Sequence, residues 1–199
     1  MELFINSWVK FFFVLAPFFA LSMFLTLTAG HTAGERKRKA LVATFTVMLT
    51  SGLLYLFGKV IFESVGITID SFRVGAGILL FLSAIDLVRA SKKTGMDELE
   101  ETEFTVVPLS IPITVGPAVI GTLFVMGAEN STTTAKLITF GGVLAAILCL
   151  GVLLYCGTFI ERILGKQGIE IMSKITGLFL AALASQLVLE GIKNILFTS

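Results

Sequence analysis

Residues 107–121 read VPLSIPITVGPAVIG, and they hold three of the chain's four prolines, Pro108, Pro112 and Pro117. Proline removes a backbone donor and kinks or breaks a helix. Pro112 and Pro117 each deprive a carbonyl about one turn earlier of its partner, whereas Pro108 stands nearer the helix start. Gly116 allows unusual backbone angles and close approach. Ser110 and Thr114 add hydroxyls between them. A half-helix ending in such a stretch turns N–H groups towards a carboxylate and freed carbonyls towards an ammonium group or a cation. An amino acid zwitterion needs both kinds of partner. A kink without a binding role is the plainer alternative, because proline is common in membrane helices.

Other chemistries are poorly supplied. One histidine, His31, is too few for a membrane-embedded metal centre. No base stands beside a candidate nucleophilic serine. The nucleotide-binding pattern GxxxxGK[ST] is absent. No enzymatic activity, metal or cofactor is therefore expected. Asp86 with Arg89, and Glu190 with Lys193, read as local pairs one turn apart near the ends of helices. His31 reads as a solvated loop residue. A proton relay normally uses buried Asp, Glu or His. Their scarcity is compatible with sodium held by carbonyls, and coupling to sodium or protons stays open.

The elements that must position these residues follow from composition. The 199 residues are 55% hydrophobic and only 15% charged, against about 25% in ordinary soluble domains. Mean hydropathy is +0.94, so a polytopic membrane protein is expected, with the lipid bilayer as its surroundings. Net charge is +1 and the basic residues form no patch, so no nucleic-acid partner is indicated. Cys149 and Cys156 lie about 10 Å apart on a straight helix, too far for a disulfide.

A spanning helix needs about twenty apolar residues. Six candidates appear, at roughly 11–30, 40–62, 72–90, 104–126, 137–160 and 174–196. The first is longer than the apolar core of a signal peptide and reads as retained. Trp8 would then stand just before it, at the interface. The loops alternate in basic content. The first, third and fifth hold Arg36, Lys37, Arg38, Lys39, Arg89, Lys92, Lys93, Arg162, Lys166 and Lys174, ten of the fifteen basic residues, which predicts that these loops are cytoplasmic and both termini outside. The acidic run DELEETE (97–103) has no rigid ligand spacing and reads as a solvated linker.

The chain also repeats itself. Without gaps, 66–88 and 168–190 share seven identities: Gly66 with Gly168, Ile67 with Ile169, Ile69 with Ile171, Ser71 with Ser173, Gly75 with Gly177, Ser83 with Ser185 and Leu87 with Leu189. Three spans per unit is an odd number, so the second unit enters from the opposite side. The expected fold is an all-α membrane protein: six transmembrane helices as a 3+3 inverted repeat, with helices one and four broken. The units are 1–96 and 104–199, joined by the linker 97–103. Secondary transporters recur on this plan, with the site where the halves meet. Pro17 and Ser22 of helix one should face the broken part of helix four. Helices three and six supply Gly75, Gly77, Ser83, Gly177, Ala181, Ala182 and Ser185, for close packing or for lining a pathway. Thr176 and Gln186 are polar groups open to either use.

The motifs ERKRKA (35–40), GITIDSFRVGAGILLFLSAIDL (66–87), VPLSIPITVGPAVI (107–120) and ITGLFLAALASQLVLEGI (175–192) resemble those of the MarC family of bacterial inner-membrane proteins. The resemblance covers nearly the whole chain. It implies a multi-pass protein of the bacterial inner (cytoplasmic) membrane, similar to transporters of small neutral amino acids such as alanine and glycine. The chain departs from the family's first-helix motif NPxGxxP, because residues 16–22 read APFFALS: Pro17 is kept, while Ala16, Phe19 and Ser22 stand at the Asn, Gly and second Pro positions. The expected function is a secondary transporter or exporter of small molecules by alternating access. Substrate would be bound by Pro17, Ser22, Ser110, Pro112, Thr114, Gly116 and Pro117. A membrane scaffold or regulatory subunit is the alternative. Transport direction and oligomeric state are not read from the sequence.

Overall fold

The computed structural model describes residues 1–89, 115–129 and 132–197, and all regular structure among them is helical. Helix α1 (Glu2–Val14) and helix α2 (Pro17–Leu27) form one apolar unit bent by 42°. The bend has a backbone cause. Ala16 adopts a left-handed conformation (φ 45°, ψ 59°), and Pro17 restarts the helix at its first position, where no N–H is needed. The first span therefore begins at Glu2, nine residues before the hydropathy estimate of 11. Trp8 lies inside α1 and packs on Phe12, with ring centroids 6.1 Å apart.

Helix α3 (Ala33–Val65) opens with a reciprocal cap. The Thr32 N–H and hydroxyl both donate to Glu35 Oε2 at 2.8 Å, and the Glu35 N–H reaches Thr32 Oγ1 at 3.4 Å. Helix α4 is Ile69–Arg89, α5 is Pro117–Glu129, α6 is Thr133–Tyr155, and α7 is Gly157–Phe197 with a break at Gly165. Gly66 (φ 71°) and Gly165 (φ 66°) both take the left-handed backbone that glycine adopts without strain. They precede α4 and the long part of α7. The sequence alignment had paired Gly66 with Gly168, which lies within the helix.

Four helices are long and apolar enough to cross a membrane, and the bent α1–α2 unit makes five. The fourth of the six expected spans contributes α5, which has 13 residues. The rest of that span, with Pro108, Ser110, Pro112 and Thr114, lies outside the described residues, as does the acidic linker. Helix α3 exposes Leu41, Phe45, Leu49 and Leu53 along one stripe, surface suited to lipid.

Helices α4 and α7 form the central pair, and they run antiparallel. A Cβ on Gly77 would stand 3.0 Å from the Ala184 carbonyl oxygen and 2.7 Å from Val188 Cγ2. A Cβ on Gly177 would stand 3.1 Å from the Ala84 carbonyl oxygen and 2.9 Å from Val88 Cγ2. The contact is reciprocal, and it relates positions 100 apart, whereas the gapless alignment had related positions 102 apart. Leu80 and Leu180, both fully buried, lie at the centre of the pair.

The two ends of the bundle differ. At one end Arg36 donates through Nε and Nη2 to the carbonyls of Thr28 and Ala29, each at 2.9 Å, and through Nη1 to Thr158 Oγ1 at 3.5 Å. Lys37 Nζ lies 5.0 Å above the Tyr155 ring. These contacts join the start of α3 to the end of α2 and to the junction of α6 with α7. The start of α4 and the ends of α5 and α7 meet at the other end.

Candidate functional site

A cavity of about 170 Å³ opens at the end of the bundle that carries the start of α1. Helix α1 lines it with Leu3, Asn6, Ser7, Lys10 and Val14. Helix α5 contributes Thr122, Val125, Met126 and Glu129, and α7 contributes Leu183, Gln186, Leu187 and Glu190. Each set recurs at intervals of three or four residues, so each is one face of its helix. Leu80 of α4 and Thr139 of α6 complete the wall. From Leu3 to Val14 the helix rises about 16 Å, roughly half the thickness of a bilayer's hydrocarbon core. Val14 is the last residue of α1, so the cavity reaches down to the break before Pro17.

The wall carries both signs of charge. The Glu190 carboxylate accepts the Gln186 side-chain amide at 2.8 Å. Glu129 accepts Arg73 Nη2. Arg73 Nη1 also donates to Asp70 Oδ1 at 2.7 Å, and the same oxygen accepts Asn194 Nδ2 at 2.9 Å. This network ties α4, α5 and α7 together beside the cavity. Lys10 has no polar partner among the described residues, so its ammonium group is free to meet an anion. Ser7 and Thr122 donate to their own helices, at Leu3 O (2.8 Å) and Ala118 O (2.9 Å). Their hydroxyl oxygens can still accept. The cavity thus offers a cation, two carboxylates and several neutral acceptors within a few side-chain lengths. No group of side chains suited to a metal ion occurs among the described residues.

The expected site residues distribute as follows. Pro17 is buried at the start of α2, and Pro117 starts α5 directly after Gly116. Ser22 is half-buried on α2. None of these lines the cavity. Gln186 does. Gly77 and Gly177 are the packing glycines of α4 and α7, whereas Gly75 is exposed, with nothing within 4 Å of an added Cβ. Ser83 and Ser185 donate to the carbonyls of Leu79 (3.0 Å) and Ala181 (2.9 Å) on their own helices. The local pairs expected at helix ends are not formed: no ion pair joins Asp86 to Arg89 or Glu190 to Lys193 among the described residues. His31 is half-buried, with Nε2 2.7 Å from Lys39 Nζ, and is not a solvated residue. Both cysteines are free.

Sequence reasoning missed Asn6, Ser7, Lys10, Thr122, Glu129, Thr139 and Glu190. The spacing of Leu3, Asn6, Ser7, Lys10 and Val14 is a helical signal, but the polar residues in it kept this segment out of an apolar window.

The family model for MarC family integral membrane proteins matches residues 1–196. The chain belongs to the MarC family. Among its relatives in that family, it is 34% identical over 209 residues to the UPF0056 membrane protein MJ1677 of Methanocaldococcus jannaschii, covering 98% of each chain. It is 31% identical to the UPF0056 membrane protein YvbG of Bacillus subtilis, covering 96% of this chain and 94% of that one. It is 29% identical to the UPF0056 membrane protein YhcE of Escherichia coli, covering 92% and 89%. No solved structure matches the chain. Membership makes this a multi-pass integral membrane protein of the MarC family, and its exposed apolar helices fit that setting.

Proposed function

We propose that this MarC-family chain is a secondary transporter of small neutral amino acids, such as alanine or glycine, working by alternating access in the cytoplasmic membrane. The cavity carries this reading: one lysine and two glutamates line a small space that runs to mid-bundle depth in an apolar protein. Charged groups inside a membrane protein are costly, so they are kept where they serve a pathway or a ligand. A zwitterion presents a carboxylate that Lys10 can hold and an ammonium group that Glu190 or Glu129 can hold. The basic loops at the opposite end favour the cytoplasm for that end, which supports a cavity and termini that face outside. Catalysis plays no part in this reading.

Two further features support it. The α1–α2 unit breaks where the cavity ends, and broken helices are a recurrent device for building transporter sites. The reciprocal contact of α4 with α7 is what an inverted repeat produces. The test is uptake and counterflow of labelled alanine and glycine in proteoliposomes, with and without sodium and pH gradients, beside Lys10→Gln and Glu190→Gln. Flux that both variants reduce supports the reading. Folded protein that carries neither amino acid under any gradient would sink it.

A further inference from the structure

We infer that the transport pathway has a second vestibule, opening at the opposite end of the bundle, formed by Ser22 and Thr26 of α2, Lys39 of α3, and Ser83 and Asp86 of α4. The inference rests on the transport reading for its purpose, but its geometry comes from the fold. Gly77 meets the Ala184 carbonyl and Gly177 meets the Ala84 carbonyl, so a local twofold exchanges α4 with α7. The helices are antiparallel, and the exchange therefore swaps the two ends of the bundle. Its centre lies by Leu80 and Leu180. Leu80 is also in the cavity wall.

The same interval of 100 residues recurs elsewhere. Pro17 starts α2 and Pro117 starts α5. Ala43 and Val47 of α3 are buried, as are Val143 and Ile147 of α6. One register thus relates three pairs of helices. Applied to the cavity, it carries Thr122 to Ser22, Met126 to Thr26, Thr139 to Lys39, Leu183 to Ser83 and Gln186 to Asp86. It also carries Leu80, Val125, Glu129 and Leu187 to Leu180, Leu25, Ala29 and Leu87. The counterparts of Glu190 and of the α1 residues lie outside the described residues.

The identity of these counterparts is an independent observation. Five of these nine described counterparts are polar or charged, although two of the five cavity residues they mirror are apolar; Leu180, Leu25, Ala29 and Leu87 are apolar. Polar groups in membrane helices mark water-filled paths or interhelical bonds. Among the described residues, Thr26 and Ser83 donate only to their own helices, at Ser22 O (2.9 Å) and Leu79 O (3.0 Å). Asp86 has no ion pair among the described residues. At this end Gly157 brings the first turn of α7 against Leu21 and Leu25 of α2, and Arg36 links the end of α2 to Thr158. Separating α2 from α7 there would open the vestibule.

The test uses the full chain with Cys149 and Cys156 replaced by serine. Single cysteines are placed at Asp86→Cys, Thr26→Cys, Gln186→Cys and the lipid-facing Leu49→Cys. A membrane-impermeant maleimide is applied from either side of oriented vesicles. Gln186→Cys should react from the cavity side. Asp86→Cys and Thr26→Cys should react from the other side, about tenfold or more faster than Leu49→Cys, which has lipid and no water around it. Rates equal to that of Leu49→Cys for both positions, in protein that labels fully once denatured, overturn the inference even if alanine flux is measured. Labelling from the opposite side upholds it even if alanine is not carried, because the maleimide needs water and no substrate.

Discussion

Arg73 donates to Glu129 across the gap between α4 and α5, and Glu129 is one of the two carboxylates in the cavity wall. The arginine side chain is only 13% exposed, and its Nε is buried without a partner among the described residues. A charge so enclosed depends on its counter-ions. Removing one partner of a buried pair leaves the other uncompensated, at about 3–5 kcal/mol for a fully buried pair. Glu129 is 35% exposed, which lessens the effect. Arg73→Gln, which strips Asp70 and Glu129 together, should destabilise the protein by about 2 kcal/mol. Glu129→Gln should cost less, because Arg73 keeps Asp70. Thermal unfolding in detergent checks the order, and a larger loss for Glu129→Gln would show that Arg73 is not the tie.

Glycines two residues apart on α4 should respond with opposite sign. A Cβ at Gly77 would meet Val188 Cγ2 at 2.7 Å and the Val188 backbone nitrogen at 3.1 Å. Gly77→Ala must push α4 from α7, and overpacking of this kind costs about 1–3 kcal/mol. Gly75 has open space, so Gly75→Ala should be neutral or stabilise the helix by up to about 1 kcal/mol. Unfolding midpoints of the two variants in one detergent decide the matter. Equal losses would mean that the close approach of α4 to α7 is not what Gly77 provides.

The helical class, the break at Pro17 and the family were legible because proline position and apolar runs act locally. The register of the reciprocal contact between α4 and α7 was not. Identity counting favours the interval of 102, with seven matches, over 100, with six. The matches at 100 include Gly77, Leu80, Ala84, Leu87 and Val88, which share one helix face, whereas those at 102 scatter around the helix. Packing selects a face, so the pattern of matches carried more information than their number. The cavity was hidden for a related reason. Asn6, Ser7 and Lys10 lower the hydropathy of α1, yet the helix continues through them because their side chains face the cavity. Glu190 suggested pairing with Lys193 by spacing alone, but Gln186 supplies its hydrogen bond instead.

Ala16 carries strain that the family's own motif would relieve. Its φ of 45° lies where a Cβ is disfavoured by roughly 1–2 kcal/mol, while glycine and asparagine are tolerated there. The family pattern places asparagine at this position. Ala16→Asn and Ala16→Gly should both raise the unfolding midpoint, by about 0.5–1 kcal/mol in stability. Ala16→Val should lower it, because a branched side chain suits this backbone least. Stabilisation by valine would contradict the left-handed break between α1 and α2.

Lys10 should govern substrate affinity if the cavity binds a carboxylate. It has no polar partner among the described residues, so removing its charge strands no counter-ion in the resting protein. A hydrogen bond to a charged group contributes about 1.5–3 kcal/mol, and its loss corresponds to roughly a ten- to hundredfold change in KM. Lys10→Met should raise KM for labelled alanine by that order while insertion and unfolding midpoint stay unchanged. Lys10→Arg, which keeps the charge, should recover part of the affinity. Lys193 lies on α7 outside the cavity wall, and Lys193→Met should leave transport as it was. Flux measured over a range of alanine concentrations in proteoliposomes separates these cases. Equal effects at Lys10 and Lys193 would point to general surface charge and away from a carboxylate held in the cavity.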